Sequence, residues 1–327
     1  METKKHYVVT GGAGFIGSSV VKKLLERDDV QITCIDNFDP FYRRQLKLLN
    51  IEGFEKHHNF FLRDLNLDDV TVKELHDAVP QPVDVIIHLA ARAGVRSSIS
   101  NPMAYQRTNI LGTQKMLEYA AEKKVPQFVF ASSSSVYGEN KKYPWTEGET
   151  VLPISPYAMT KLSGEMAGHV YQNLFGLRFL ALRFFTVYGP GQRPDLAIHK
   201  FTKALLQGKS LTMFGDGSTS RDYTYIDDIV QGVIAAIDYT ASPFEIINLG
   251  NSYAMPLNDL ITQLENVTGK KAVIEQQPEQ PGDLRQTCAD ISKAQRLLNY
   301  QPHTKLEDGL KQFYDWYLKN EAILKMD

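Results

Sequence analysis

A glycine-rich turn between a strand and a helix is the feature that most constrains how this chain folds. Gly11, Gly14 and Gly17 separate a strand-like run at residues 7–10 from a helix-like stretch at residues 15–26. Glycines at this spacing allow a tight turn and let the backbone approach a pyrophosphate, while the N-terminus of the following helix favours negative charge. The turn therefore predicts a dinucleotide-binding site.

Strand-like runs alternate with helix-like stretches through the first half of the chain. Such alternation is typical of right-handed β-α-β units, which build a parallel sheet covered by helices on both faces. Further strands are predicted at residues 31–35, 59–62, 83–89, 127–131, 179–185 and 246–249, and long helices at residues 102–123 and 156–175. The predicted fold class is α/β: a doubly wound parallel sheet of the Rossmann type, with a smaller C-terminal α/β lobe.

An acidic residue after the second strand indicates which cofactor binds. Asp36 lies 19 residues after Gly17, where a carboxylate binds the adenosine ribose hydroxyls and repels a 2′-phosphate. We therefore expect NAD rather than NADP. Asp64, after the third strand, is interpreted either as an adenine contact or as a turn-capping residue. The other predicted cofactor contacts are Phe15, Ile16, Asn37, Leu65, Leu89, Ala90 and Ala91.

Composition and charge exclude several classes of partner. The chain has 36 basic and 38 acidic residues and a net charge of −2, so neither nucleic acid nor an anionic membrane surface is expected. No run of about 18 apolar residues is present to span a membrane. Cys34 and Cys288 are too few for a disulfide framework, which favours a reducing, cytoplasmic setting. The eight histidines lack metal-ligand spacing, so no metal is expected.

Turn-rich sequence after residue 186 marks a predicted domain boundary. Two glycine turns, at residues 189–191 and 215–217, follow the regularly alternating first half. A length of 327 residues also favours about two domains. We predict an NAD-binding domain at residues 1–186, to which segments near residues 222–250 return, and a substrate lobe at residues 187–327.

A serine-rich strand end and a tyrosine–lysine pair form the candidate catalytic set. Four serines at residues 132–135 follow the fifth strand, at the sheet edge where ligands bind in this architecture. Tyr157 and Lys161 lie four residues apart in a predicted helix, so both side chains share one face. We expect the lysine charge and the positive nicotinamide to lower the pKa of Tyr157 from about 10, which makes this phenol a general base.

These motifs together resemble the extended short-chain dehydrogenases/reductases, specifically the nucleotide-sugar epimerases and dehydratases, over the whole chain. The resemblance implies that Ser133, Tyr157 and Lys161 are the catalytic residues and that Lys161 also binds the nicotinamide ribose. It further implies a structural role for Asn109. Family helices that match residues 102–123 and 156–175 form a dimer interface, so a homodimer is expected.

The resemblance also implies where the nucleotide of the substrate binds. Arg221 matches the family contact to the diphosphate, and Asp283 matches a carboxylate that binds the uridine ribose. Gln280 stands where the family has an arginine, and Arg285 is the candidate to replace it.

Two serines in the catalytic loop narrow the choice of reaction. Family members share an opening step in which the sugar is oxidised at C4 to a 4-keto intermediate. Dehydratases then use an Asp-Glu pair, where this chain has Ser134 and Ser135, and decarboxylases have a glutamate at the position of Ser135. Epimerisation at C4, by rotation of the keto sugar and return of the hydride, is the predicted reaction.

The sugar is predicted from segments that resemble UDP-glucuronate 4-epimerases, at residues 36–42, 93–96 and 183–195. The hydroxyls of Thr186, Ser134 and Ser135 are the predicted sugar contacts.

A positively charged side chain is the candidate ligand of the sugar carboxylate. Arg193 can form a charge-assisted pair with this group; its alternative role is to stabilise the loop after the strand. Arg96 is predicted to contact either the diphosphate or a neighbouring loop.

Three other functions stay open at this point. The nearest is a 4-epimerase of UDP-glucose or UDP-N-acetylglucosamine. The second is a UDP-glucuronate decarboxylase, and the third is a non-catalytic NAD-sensing protein, which the Tyr157–Lys161 pair argues against.

Overall fold

Strands and helices alternate along the chain as the sequence predicts. The computed structural model describes residues 4–279 and 284–325. The strands are β1 (Lys5–Thr10), β2 (Val30–Asp36), β3 (Phe60–Asp64), β4 (Val85–His88), β5 (Gln127–Ser133), β6 (Arg178–Phe184), β7 (Thr186–Tyr188), β8 (Leu211–Phe214), β9 (Ser220–Tyr225), β10 (Phe244–Leu249), β11 (Ala254–Pro256) and β12 (Ile274–Gln277). The α-helices are α1 (Phe15–Leu24), α2 (Arg44–Asn50), α3 (Val72–Ala78), α4 (Val95–Ser100), α5 (Pro102–Tyr105), α6 (Gly112–Glu122), α7 (Pro156–Phe175), α8 (Ala197–Gln207), α9 (Ile226–Asp238), α10 (Leu257–Thr268), α11 (Ser292–Leu298), α12 (Leu306–Lys319) and α13 (Glu321–Leu324).

A parallel sheet with the strand order β10-β6-β5-β4-β1-β2-β3 forms the centre of the molecule. Each strand predicted from the sequence lies in this sheet, and its ends are within two residues of the prediction. The strand order reverses between the neighbours β1 and β4. Ligands bind in the crevice at such a reversal, outside the carboxyl ends of the strands.

The two faces of the sheet are buried under different helices. On β1, Val9 belongs to the core beneath α1 and α9, whereas its neighbour Val8 belongs to the core beneath α3 and α6. Successive side chains of a strand point to opposite faces, so a strand covered on both sides needs a continuous apolar run. This explains why the predicted strands carry few polar residues.

The C-terminal lobe is built around two small sheets. Strands β11, β9 and β7 form one, and the parallel pair β12 and β8 forms the other. Residues 222–225 therefore end in the small sheet, whereas β10 pairs with β6 in the central sheet. The division into domains at residue 186 stays a prediction. Across the two described ranges, no helix is both long and apolar enough to cross a membrane.

Helix α7 matches its predicted bounds because the sequence encodes both ends. Ser155 caps the N-terminus by accepting a hydrogen bond from the backbone N–H of Ala158, and Pro156 occupies the first turn, where no N–H partner is needed. Gly176 ends the helix with φ +70°, a conformation that favours glycine. The helix therefore begins immediately before Tyr157.

The prediction of a single continuous helix at residues 102–123 is wrong, because the helix is interrupted in its middle. A π-helical turn, Gln106–Leu111, separates α5 from α6. The spacing predicts that Leu111, Met116, Leu117 and Ala120 share a buried face, and the last three are buried, but Leu111 is 52% exposed. A π turn holds an extra residue and rotates the positions before it relative to those after it. Residues before Gly112 therefore do not face the directions that a continuous ideal helix would give them.

Candidate active site

A cavity of about 490 Å³ lies at the carboxyl ends of the central strands. It brings together residues that are far apart in the sequence. The predicted cofactor residues that line it are Gly11, Gly14, Phe15, Ile16, Gly17, Asp36, Asn37, Leu65, Leu89, Ala90, Ala91, Tyr157 and Lys161. The predicted catalytic and sugar residues that line it are Ser133, Ser134, Ser135, Thr186, Arg193 and Arg221.

The glycine turn packs too closely for any side chain. Gly11 has φ +69°, and a Cβ atom there would lie 2.8 Å from the backbone of Ala90. A Cβ atom on Gly17 would lie 2.1 Å from the carbonyl oxygen of Gly11. The N-cap of α1, Gly14, carries no side chain to occupy the first N–H groups of the helix. This arrangement fits the pyrophosphate of a dinucleotide.

Asp36 is held at the end of β2 by its neighbours. Its carboxylate accepts hydrogen bonds from the backbone N–H groups of Ala13 at 3.0 Å and Phe38 at 2.8 Å. Lys47, on α2, places its ammonium 3.5 Å from the same carboxylate. Sequence analysis missed Lys47, because no spacing rule connects it with Asp36. The arrangement fits an adenosine ribose, with fixed acceptor oxygens and a cation at one edge of the cavity.

Two predicted contacts, Asp64 and Arg96, are not among the residues that line the cavity, although each adjoins one of them in the chain. The carboxylate of Asp64 pairs with Arg44 at 3.0 Å on the surface. The guanidinium of Arg96 lies 4.8 Å from the centre of the Phe214 ring, on a neighbouring strand. Their roles as adenine and diphosphate contacts stay predictions. Asp283, the predicted uridine-ribose contact, lies outside the described residues.

Ser133 and Tyr157 approach each other across the cavity. The Ser133 hydroxyl oxygen accepts hydrogen bonds from the backbone N–H of Ser135 at 3.2 Å and from its hydroxyl at 2.9 Å. Burial raises the pKa of Tyr157 above its ordinary value, although the hydrogen bond with Ser133 and the charge of Arg193 act in the opposite direction. The lowering of this pKa that is expected from Lys161 and the positive nicotinamide together stays a prediction.

Lys161 lies beneath the cavity in an apolar environment. Its ammonium donates a hydrogen bond to the carbonyl oxygen of Ala131 at 2.6 Å and lies 5.0 Å from the centre of the Phe130 ring. Burial lowers its pKa to about 7. The ammonium therefore loses its proton more easily than that of an exposed lysine.

Asn109 connects the π-helical turn with two parts of the site. Its side-chain oxygen accepts from the backbone N–H of Arg92, and its amide nitrogen donates to the carbonyl oxygen of Arg92 and to the Thr160 hydroxyl. Its predicted structural role is thus supported by bonds to the loop after β4 and to the helix that carries Tyr157. The π-helical turn that interrupts the predicted helix is thus the same turn that carries Asn109.

A buried ion pair lies behind the carboxyl end of β5. The guanidinium of Arg183 forms two hydrogen bonds with the carboxylate of Glu165, at 2.9 and 2.8 Å. The Ser132 hydroxyl donates to the same carboxylate. Strand β5 is thereby tied to α7 one residue before Ser133.

Arg193 lines the cavity, and Asp195 already forms an ion pair with it. Its Nε and Nη2 atoms donate to the two carboxylate oxygens of Asp195 at 2.9 and 2.6 Å, and Nη2 also donates to the carbonyl oxygen of Ala93. The structure therefore contains the loop-stabilising interaction that sequence analysis left open. The same side chain still reaches the cavity.

Several lining residues have no sequence signal that distinguishes them from surface polar residues. They include Lys47, Asn66, Arg92 and Thr108. Arg92 pairs with Asp39 at 2.5 Å, which joins the loop after β4 to the loop after β2. Among residues 4–279 and 284–325, no group of three histidine, cysteine or acidic side chains is arranged to hold a metal.

The fold and the site define the class of the protein. A doubly wound sheet with a glycine cradle, an acid after β2, and serine, tyrosine and lysine at one cavity is the architecture of an extended short-chain dehydrogenase/reductase. A family model described as GDP-mannose 4,6 dehydratase matches residues 8–313. The chain belongs to this family of nucleotide-sugar enzymes, as its motifs predict.

Similar proteins match nearly the full length. A UDP-glucuronate 4-epimerase of Thermodesulfobacterium geofontis is 39% identical over 98% of each chain. An uncharacterized UDP-glucose epimerase of Bacillus subtilis is 43% identical over 93% of this chain and 95% of the relative. The crystal structure of UDP-glucuronic acid 4-epimerase from Bacillus cereus with UDP-glucuronic acid and NAD is 40% identical, with a TM-score of 0.90, and the match covers 96% of this chain and 99% of that chain.

Proposed function

We propose that this protein is an NAD-dependent UDP-sugar 4-epimerase that interconverts UDP-glucuronate and UDP-galacturonate. The observation that carries the proposal is one cavity that combines Ser133, Tyr157 and Lys161 with hydroxyl groups and an arginine at the sugar end. A relative and a solved structure, each about 40% identical, carry the same activity in their names.

Tyr157 and Ser133 handle the proton of the sugar 4-hydroxyl. Tyr157 removes this proton as general base, and the Ser133 hydroxyl hydrogen-bonds the oxygen from which it leaves. Lys161 binds the nicotinamide ribose and keeps a positive charge near the phenol when it is protonated. The glycine turn, Asp36 and Lys161 would hold NAD, which would supply the hydride-transfer chemistry at C4. Tyr157 then returns the proton to the 4-oxygen.

The residues after Ser133 favour epimerisation over elimination. Ser134 and Ser135 have hydroxyl groups, which at neutral pH are neither strong acids nor strong bases. They can hold the C6 group by hydrogen bonds without expelling a 6-hydroxyl. A decarboxylase would also have to protonate C5 after loss of CO₂, and neither serine is suited to this step.

The charge of Arg193 supports a carboxylated sugar. A guanidinium matches a carboxylate in geometry and charge, and Thr186 adds a hydroxyl donor at the same end of the cavity. The second candidate, a 4-epimerase of a neutral UDP-hexose, is favoured by the ion pair between Arg193 and Asp195, since this pair already neutralises the arginine.

Product analysis separates these candidates. The purified protein with added NAD is incubated separately with UDP-glucuronate, UDP-glucose and UDP-N-acetylglucosamine, and the products are resolved by NMR. We expect UDP-galacturonate from the first substrate alone. UDP-galactose or its N-acetyl analogue would instead establish the second candidate, and a UDP-pentose would contradict the role given to Ser134 and Ser135.

A variant of the arginine tests the carboxylate contact. We expect Arg193→Gln to lower kcat/KM for UDP-glucuronate by at least about tenfold, because a charge-assisted hydrogen bond is lost. The affinity of the same variant for UDP-glucose, measured as binding, serves as the internal control, since this sugar has no carboxylate. Equal losses of affinity for both UDP-sugars would assign Arg193 to the loop alone.

The proposal includes a homodimer located in the cytoplasm. Helix α7 exposes an apolar row at Met159, Met166, Val170 and Leu174, and Leu111 is exposed on the neighbouring π-helical turn. Several large apolar side chains exposed at helical spacing are typical of an interface between protein chains. The cytoplasmic location is supported by Cys34 and Cys288, which are both unpaired thiols.

A further inference from the structure

We propose that Arg92 and Asp39 form a clasp over the cofactor, an ion pair that slows the release of NAD from the protein. The inference rests on the NAD binding of the proposed epimerase and gives a role to Arg92, which sequence analysis missed. The guanidinium of Arg92 donates a hydrogen bond to the carboxylate of Asp39 at 2.5 Å. Both side chains line the cavity that contains the glycine turn.

The position of the clasp follows from the order of the strands. In the parallel central sheet β1 lies between β2 and β4, so the carboxyl ends of these three strands share one edge. β1 continues into the glycine turn, whereas Asp39 lies in the loop after β2 and Arg92 in the loop after β4. The clasp therefore joins the two loops that flank the glycine turn. A pyrophosphate bound to this turn would lie between the turn and the clasp.

Both flanking loops also contact the glycine turn directly. On the side of β4, Gly11 packs on the backbone of Ala90 so closely that a Cβ atom would lie 2.8 Å away. On the side of β2, the carboxylate of Asp36 accepts a hydrogen bond from the backbone N–H of Ala13 at 3.0 Å. The turn and its two loops thus form the floor and the sides of the space that the clasp covers. We infer that the two loops must separate before NAD leaves.

The backbone holds each end of the clasp in place. One carboxylate oxygen of Asp39 accepts from the backbone N–H of Phe41 at 2.9 Å, and the other accepts from Arg92. The backbone N–H and carbonyl of Arg92 are both hydrogen-bonded to the side chain of Asn109, at 2.8 and 3.0 Å. Ends that are already ordered lose little freedom when the pair forms. The side chains are only 27% and 21% exposed, so salt screens the pair less than it screens a surface pair.

The geometry favours a cover over a direct phosphate contact. The Nε atom of Arg92 is buried and has no hydrogen-bond partner in the described part of the chain. An atom without accessible surface cannot meet a ligand in the cavity unless the side chain moves. Asp39 also neutralises the guanidinium, which weakens its attraction for a pyrophosphate. The clasp is therefore expected to retain NAD by covering it.

The test is the rate at which bound NAD leaves. The purified protein is loaded with radiolabelled NAD and mixed with an excess of unlabelled NAD, and the label that stays with the protein is followed over time. We expect Asp39→Asn and Arg92→Met each to release NAD about tenfold faster than the wild type, because a charge-assisted hydrogen bond is lost. Asparagine keeps an oxygen for the N–H of Phe41, so the loop after β2 is preserved. A full complement of label at the start shows that a variant is folded.

Two further variants serve as controls for the loss of charge. Arg44→Met removes a guanidinium from the surface ion pair with Asp64, which joins α2 to β3 and does not cross β1. This variant should release NAD at the wild-type rate. Arg92→Lys keeps a cation opposite Asp39 and should recover most of the retention that Arg92→Met loses.

The double variant separates a clasp from a phosphate contact. If the two residues act as one interaction, Asp39→Asn combined with Arg92→Met should release NAD no faster than either single variant. A direct contact of Arg92 with the pyrophosphate would instead make Asp39→Asn release NAD more slowly, because the guanidinium is freed to bind phosphate. That result, or wild-type release rates in both single variants, would overturn the inference. A wild type that binds no NAD would contradict the proposed NAD-dependent function instead.

Discussion

At the scale of single residues, the burial of Lys161 opposes its charged form. The ammonium has one hydrogen bond, to the carbonyl oxygen of Ala131, and its side chain is almost inaccessible to solvent. Because burial lowers its pKa from 10.5 to about 7, the folded protein binds a proton there less tightly than the unfolded chain does. The contribution of Lys161 to folding stability therefore falls as pH decreases from 10.5 to 7 and levels off below that range.

Substitution of this lysine should remove that dependence. We compare the unfolding free energy of Lys161→Met with that of the wild type. We expect the variant to gain about 1.4 kcal/mol on the wild type for each unit by which the pH is lowered from 10 to 7. Urea denaturation at several pH values measures the difference. Lys209→Met, which changes an exposed lysine, should show a difference that is independent of pH. A constant difference for Lys161→Met would mean that the buried amine keeps its proton.

Residues with a fixed spacing to a motif were predictable, and residues brought in by tertiary packing were not. Asp36 and Tyr157 were found because the Rossmann turn and the i, i+4 pair prescribe where they lie. Lys47 reaches Asp36 only because α2 folds back over the end of β2. The ion pair of Arg193 with Asp195 depends on the conformation of the loop between them, which no periodicity specifies.

At the scale of elements, glycines set the distance between α7 and the sheet. A Cβ atom on Gly164 would lie 2.3 Å from the ring of Phe130, and one on Gly168 would lie 2.2 Å from the ring of Phe179. The helix therefore packs directly on two aromatic rings of β5 and β6. Since α7 carries the catalytic tyrosine and lysine of the proposal, this contact fixes their height above the sheet.

Filling this contact should loosen the helix. We expect Gly168→Ala to reduce the unfolding free energy by about 1–3 kcal/mol, because the methyl group overlaps the Phe179 ring and the helix must shift. Chemical denaturation measures the loss. Gly148→Ala is the control, since the nearest heavy atom to its new methyl group lies 4.0 Å away, and it should change stability by less than about 0.5 kcal/mol. Equal stability of both variants would show that α7 adjusts freely.

Among the elements, sequence patterns predict the central strands and α7 but not the π-helical turn. The strands of the central sheet are predictable because burial on both faces demands apolar runs, and α7 is predictable because its caps are encoded. The π-helical turn that ends at Leu111 has no such signal. Its position is instead associated with the hydrogen bonds of Asn109 to Arg92 and Thr160, which join separate segments.

At the scale of the whole molecule, the outer face of α7 exposes a row of apolar side chains beside the polar residues His169 and Asn173. Met166 is 65% exposed and Leu174 is 69% exposed, and Val170 lies between them at helical spacing. The π-helical turn within the predicted helix at residues 102–123 adds to this surface, since Leu111 is exposed instead of buried in the core. The two regions that the family resemblance assigns to a dimer interface are thus the regions that expose these side chains.

A single charge in this row should separate the proposed dimer. We expect the wild type to sediment as a dimer and Met166→Glu as a monomer, because pairing the two surfaces would bury an unpaired carboxylate. Sedimentation velocity measures the change, and an unaltered denaturation midpoint at high dilution would confirm that the variant is folded. Val273→Glu introduces the same charge at a side chain that is also 65% exposed but lies outside the row, and it should remain dimeric. A monomeric wild type, or a Met166→Glu variant that stays dimeric, would contradict the assignment of this surface.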